Sequence, residues 1–139
     1  MGEHSDLVNT WYPHFDKREF DYVVSVFADD AILIVGDGDS EGAVPYGGRF
    51  VGIAQIKHYY AGRFMLAGAS PFGIIRPFCG LADGIMREFG RWVIVGAKIE
   101  DTTPDRTSSI YNGNFLHVWS FNPHGKVASL SMYFDTDGN

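Results

Sequence analysis

One histidine stands apart from the other four. His117 falls in the apolar run from Ile110 to Phe121, where Tyr111, Gly113, Phe115, His117, Trp119 and Phe121 share one face of a strand. An imidazole in an aromatic stripe has its charged form disfavoured by lost hydration. It stays neutral near neutrality and can serve as base or acid. The competing reading is a core histidine that hydrogen-bonds a neighbour and does nothing further. Asp37, two residues beyond Val35, is the second candidate. If the strand through Val35 continued, this carboxylate would share its face, roughly 7 Å further along. Gly36 and Gly38 favour instead a loop with a solvated acid.

Other constellations fail on spacing. Asp37-Gly38-Asp39-Ser40-Glu41-Gly42 has the look of a calcium loop, but its twelfth position is Gly48, where a bidentate glutamate is needed. His4, His14, His58 and His124 do not pair at ligand spacing. The single Cys79 cannot form an internal disulfide, and it lies in Pro77-Phe78-Cys79-Gly80, which favours packing over reactivity. Gly47-Gly48 lacks the strand–turn–helix context of a phosphate loop. The expectation is no metal and no cofactor.

The elements that must position His117 are legible as patterns. Apolar residues at Leu7, Trp11, Phe15, Val23, Val26 and Phe27 predict a helix from Leu7 to Ala28, or two helices broken around Asp16 to Glu19, with Pro13 as a kink or a second start. Ala31 to Val35 reads as a buried strand and Gly36 to Gly48 as a long surface loop. Ile53, Ile56, Tyr60 and Phe64 predict a helix over Ile53 to Leu66. Strands follow: Phe72 to Cys79, interrupted by Pro77, then Trp92 to Ile99, Ile110 to Phe121 and Val127 to Phe134. Asn122-Pro123-His124-Gly125 makes the last two a hairpin. A four-residue turn would pair Phe121 with Lys126 and His117 with Leu130, bringing the two greasier faces together. Helices first and antiparallel strands after them make an α+β domain.

Composition limits the partners. The 139 residues form one domain, 1–139, and are 45% hydrophobic, 15% aromatic and 20% charged. A chain of this size buries about two thirds of its unfolded surface, enough for a core without staples. The net charge of −6, with no Lys/Arg cluster, argues against nucleic acid. No run approaches a membrane span, and the polar start Gly2-Glu3-His4-Ser5-Asp6 does not read as a signal peptide. A cytoplasmic protein is the expectation.

Several segments, in order and spacing, resemble the cone-shaped fold of nuclear transport factor 2, ketosteroid isomerase, scytalone dehydratase and the SnoaL-like polyketide cyclases. They are Phe27-Ala28-Asp29-Asp30-Ala31, Val44 to Ile53, Asn114 to Phe121, Gly125-Lys126-Val127 and Tyr133-Phe134-Asp135-Thr136. The resemblance spans nearly the whole chain and is nearest the SnoaL-like branch. It implies a curved antiparallel sheet wrapped around the N-terminal helices, with His117 pointing into the cone. Carried over residue by residue, the general-base aspartate of ketosteroid isomerase falls on Val35 and its oxyanion tyrosine on Trp11. The oxyanion aspartic acid falls on His117, and a supporting tyrosine is retained as Tyr60. Three of four polar positions have changed, which argues against ketosteroid isomerisation by that mechanism.

Trp11, Phe15, Tyr60, Phe64, Trp92, Phe115 and Trp119 read as core; in a cone, some would also wall a pocket. The expectation is a cofactor-independent protein holding a small apolar or aromatic molecule. His117 and Asp37 would carry any proton transfer, in isomerisation, cyclisation or dehydration. The alternative is a binding or accessory module without turnover. The Trp92 to Ile99 strand is apolar on both faces, which predicts a homodimer through the convex face together with Ile110, Leu116 and Val118.

Overall fold

Residues 2–36, 48–69, 85–102 and 109–136 are described by a computed structural model. Helix α1 runs Glu3–Asp16 and α2 Phe20–Ser25; strand β1 is Phe27–Val35, β2 Gly48–Val51, and helix α3 Ile53–Ala69. Strands β3 (Ile85–Phe89), β4 (Trp92–Thr102), β5 (Ser109–Phe121) and β6 (Val127–Thr136) follow among the described residues. All six strands form one sheet in the order β2-β1-β6-β5-β4-β3. The expected strand from Phe72 to Cys79 and the loop acid Asp37 lie outside the described residues.

The two N-terminal helices break where the apolar period lapses. Arg18 takes a left-handed φ of 56°, and its N–H bonds back to Phe15 O at 2.9 Å. Pro13 sits inside α1 and does not start a second helix. It lies one turn from the end, and its carbonyl still takes the Lys17 N–H at 3.1 Å. The buried stripe of α1 is Val8, Trp11, Tyr12 and, partly, Phe15, at i, i+3, i+4 and i+7. Leu7, expected in that stripe, is only half-buried at its edge. Trp11 ties α1 to α2 by donating Nε1–H to Val23 O at 3.1 Å.

Three strand expectations are corrected. First, Phe27-Ala28 opens β1 and does not end a helix; Asp29 and Asp30 stay exposed within the strand. Second, β1 pairs with β6 in parallel, Leu33 opposite Leu130, so the sheet is not wholly antiparallel. Residues 36–126 separate these strands, so no hairpin constrains their direction. Third, His117 pairs with Met132 rather than Leu130. Asn122 N–H bonds Lys126 O at 2.8 Å and Phe121 pairs with Val127, which moves the ladder by one residue. An irregularity between Ser120 and Phe121 moves it by one more. Two single-residue shifts leave facing unchanged, because side chains alternate with period two.

Sheet register sorts the side chains into two environments. Leu33, Phe50, Met86, Val93, Val95, His117, Trp119, Leu130 and Met132 line one face, directly paired strand to strand and packed with the helices. Ile32, Ile34, Ile94, Val118, Ser120, Ser129 and Ser131 belong to the other. Phe50 packs on Tyr59 of α3, ring centroids 4.8 Å apart.

Candidate functional site

His117 reaches the helix-facing side of β5, as the strand parity requires, and is 7% exposed. Its Nδ1 lies 2.7 Å from the Tyr12 hydroxyl of α1, and the two rings stack with centroids 5.7 Å apart. Trp119, two residues along the same face, donates its indole N–H to the Tyr12 oxygen at 3.2 Å. Indole nitrogen can only donate, so the Tyr12 oxygen is an acceptor in that bond. A helix side chain thus joins two neighbours on the strand into one buried polar chain, Trp119–Tyr12–His117.

Burial sets the electrostatics. It lowers the His117 pKa from 6.5 to about 3, because a charged ring would lose its hydration there. The ring is therefore neutral at neutral pH. Burial also pushes the Tyr12 phenol well above its ordinary value, with the Trp119 hydrogen bond opposing in part. Tyr12 is a neutral hydroxyl and not a phenolate.

Trp119 and Leu130 are fully sealed, while His117 and Met132, the next inward pair away from the β5–β6 turn, are each 7% exposed. Trp11 closes the sealed end, with its ring centroid 5.0 Å from Trp119 and 5.1 Å from Phe15. Tyr60 of α3 meets Trp11 at 6.2 Å and Phe27 at 6.1 Å. Phe64 packs on Phe15 at 5.4 Å. Trp11, Phe15, Tyr60, Phe64 and Trp119 thus form one aromatic cluster beside His117.

Trp92 does not join it, which corrects the expectation that it helps wall the pocket. It pairs with Ser120 on the opposite face and is 51% exposed, beside the Gly90-Arg91 turn. Val93 and Val95 of β4 face the helices, and Trp92 is on the other parity. Asp37 and the Phe115 side chain lie outside the described residues. Tyr12 was missed by sequence reasoning, although the i, i+3, i+4, i+7 stripe through Val8 and Trp11 would have included it. Among the described residues, no cluster of three or more His, Cys, Asp or Glu could hold a metal. No helix there is long and apolar enough to cross a membrane.

No protein-family model and no curated protein sequence matches the chain. Solved structures do. TerC co-crystallised with polyporic acid is similar at 22% identity and a TM-score of 0.68, covering 96% of this chain and 92% of TerC. A nuclear transport factor 2-like protein of unknown function from Burkholderia pseudomallei has 22% identity and a TM-score of 0.68, covering 97% of this chain and 92% of its own. A protein with a ketosteroid isomerase-like fold from Catenulispora acidiphila, in complex with trimethylamine, has 11% identity and a TM-score of 0.65, covering 93% and 85%. With the curved six-stranded sheet and three helices of its described residues, the chain has the cone fold of the nuclear transport factor 2-like, SnoaL-like and ketosteroid isomerase-like proteins.

Proposed function

We propose that the cone holds a small, largely apolar or aromatic molecule against His117 and Met132, over a floor of Trp11, Tyr12 and Trp119, without a cofactor. The observation that carries this reading is His117 itself. It is a buried imidazole anchored to Tyr12 on an otherwise apolar wall. Largely apolar concavities with a few placed polar groups are the usual form of small-molecule sites. The small molecules in the TerC and Catenulispora structures support a ligand-binding use of the fold. Where such a molecule is turned over, proton transfer is the chemistry the site suits: isomerisation, cyclisation or dehydration, with Asp37 a further participant. The depth at which His117 is buried favours the alternative of a non-catalytic binding or accessory module equally well.

Titration of 2-naphthol, a flat aromatic with one polar group, tests the reading through the fluorescence of Trp11 and Trp119. Saturable quenching is expected, weakened about tenfold in His117→Ala, the value of one hydrogen bond of about 1.4 kcal/mol. Absence of saturation at millimolar probe, or identical binding by the folded variant, overturns it.

The outer face of the sheet supports a second copy of the chain as partner. Val51, Ile85, Phe89, Trp92, Leu116 and Tyr133 are the exposed large hydrophobic residues among those described, and register puts all six on this one face. Contiguous apolar patches of that kind are rare on monomers, and a two-fold axis is the commonest way to bury them.

A further inference from the structure

A cavity of about 650 Å³ opens where α2, the start of β1, the start of α3 and the β5–β6 turn converge. Its floor is apolar: Val24 and Phe27 are buried there, and Phe20 and Ile53 are half-buried. Its rim carries Asp21, Asp29 and Asp30 together with Lys57 and Lys126, all exposed. Helical spacing brings the parts of α2 and α3 together, since Phe20 and Val24, and Ile53 and Lys57, are each four residues apart and share a helix face. Strand β1 supplies the paired acids by a bulge. Between Phe27 and Ile32 it advances five residues while β6 advances two, from Val127 to Ser129. The surplus leaves the ladder, so the consecutive Asp29 and Asp30 both reach solvent, where a regular strand would turn one of them toward the helices. Lys126 is held in place from the other side. Asn122 Oδ1 accepts the His124 and Lys126 N–H groups at 2.9 and 3.0 Å, and Lys126 Nζ donates to Ser25 O at 3.0 Å.

Among the described residues, neither Lys57 nor Lys126 forms an ion pair with these acids. Both signs of charge therefore stand without an ion pair around one apolar floor. A ligand of a single sign would meet its opposite on this rim and its like as well. A zwitterion finds an opposite for each of its ends. The volume lies within the roughly 300–1,000 Å³ of ordinary small-molecule sites. We propose that this cleft binds a short zwitterionic peptide, with an apolar side chain on the floor, its ammonium on the aspartates and its carboxylate on Lys57 and Lys126. An ammonium has three donors, so Lys126 keeps two beyond its bond to Ser25. The site is separate from the cone. Phe27 of its floor meets Trp119 at 6.5 Å, but no member of the Trp119–Tyr12–His117 chain lines it.

Amide proton–nitrogen correlation spectra of the 15N-labelled full chain, titrated with the dipeptide phenylalanyl-leucine to millimolar concentration, test this directly. Saturable shifts are expected at Ser25, Asp29, Asp30 and Lys57. The same dipeptide with its amine acetylated and its carboxylate amidated is expected to bind at least about tenfold more weakly, as are phenylethylamine and phenylpropionate, which carry one charge each. Asp30→Asn and Lys57→Gln change exposed side chains and leave the core intact, and each is expected to weaken the dipeptide by about three- to tenfold. Absence of saturation overturns the proposal, as does a blocked or singly charged molecule that binds as tightly as the dipeptide. Native affinity in both variants overturns it too. Shifts that saturate at His117 and Met132 and spare the cleft would assign the dipeptide to the cone and overturn it equally. Failure of 2-naphthol to enter the cone would leave all of these outcomes unchanged.

Discussion

Trp92 and Val93 are consecutive residues of β4 with opposite fates: Val93 is fully buried against the helices and Trp92 is 51% exposed on the outer face. Across the ladder, Trp92 faces Ser120 while Val93 faces Trp119. One strand therefore supplies both the cone interior and the apolar outer surface.

That outer surface gives the first prediction. The native chain sediments as a species of twice 15.4 kDa at micromolar concentration. Trp92→Glu combined with Leu116→Lys places charge in the patch without touching the core, and yields one-chain mass with little change in thermal stability, since surface changes usually stay within about 0.5 kcal/mol. A native species of one-chain mass refutes the dimer.

The buried imidazole makes stability pH-dependent. Unfolded, the ring titrates near 6.5; folded, it resists a proton until about 3. As pH falls through this window the unfolded state takes up a proton the folded state does not, so stability is complete above it and drains away within it. The slope reaches about 1.4 kcal/mol per pH unit. The Ser5 hydroxyl and backbone N–H hold Glu88 below its ordinary 4.5, so its contribution drains in the same direction but only below that value. Chemical denaturation between pH 6.5 and 4.5 isolates the histidine. His117→Phe flattens the curve there; a slope equal to that of the native chain contradicts the assignment.

Glu88 also fastens the first turn of α1. Gly2 at the N-cap offers no side chain, and Glu88 of β3 accepts the Ser5 N–H at 2.8 Å in its place. In Glu88→Ala the amides of this turn exchange faster, while those of Val8 to Tyr12 keep their protection. Hydrogen exchange measured by NMR decides it, and unchanged exchange at Ser5 rules the cap out.

Gly52 turns β2 into α3 at a φ of +87°, with its N–H bonded to Ala31 O at 2.8 Å. Among the described residues a Cβ there would meet only Asp29 O, at 3.7 Å, so space is not the obstacle. Gly52→Ala is expected to cost about 1–3 kcal/mol through backbone strain alone. A denaturation midpoint equal to that of the native chain would show that the turn relaxes.

Periodicity established α1, α3, β4, β5 and β6 and the side chains that share a face with His117, while β2 and β3 went unread and the inward direction of that face came from the family resemblance. Alternation along β5 has period two, and from Leu116 to Ser120 the ladder runs without the irregularity that would change which side chains share a face. The register of β5 on β6 was open to error by two residues, yet the facing survived because both shifts were single and their sum even. Helix α3 was legible for a similar reason, since Ile53, Ile56 and Tyr60 repeat at the helical period. Tertiary structure decided what no local pattern encodes. Strand β1 could pair with β6 in parallel because residues so distant in sequence are unconstrained by a turn. Trp92 could lie outside and Trp119 inside although both are tryptophans in apolar strands, because only the helices mark one face as interior. Tyr12 and His117 are 105 positions apart. Their bond exists because α1 lies across β5, and a hydrogen bond requires atoms within about 3 Å of each other, a condition that sequence spacing cannot express.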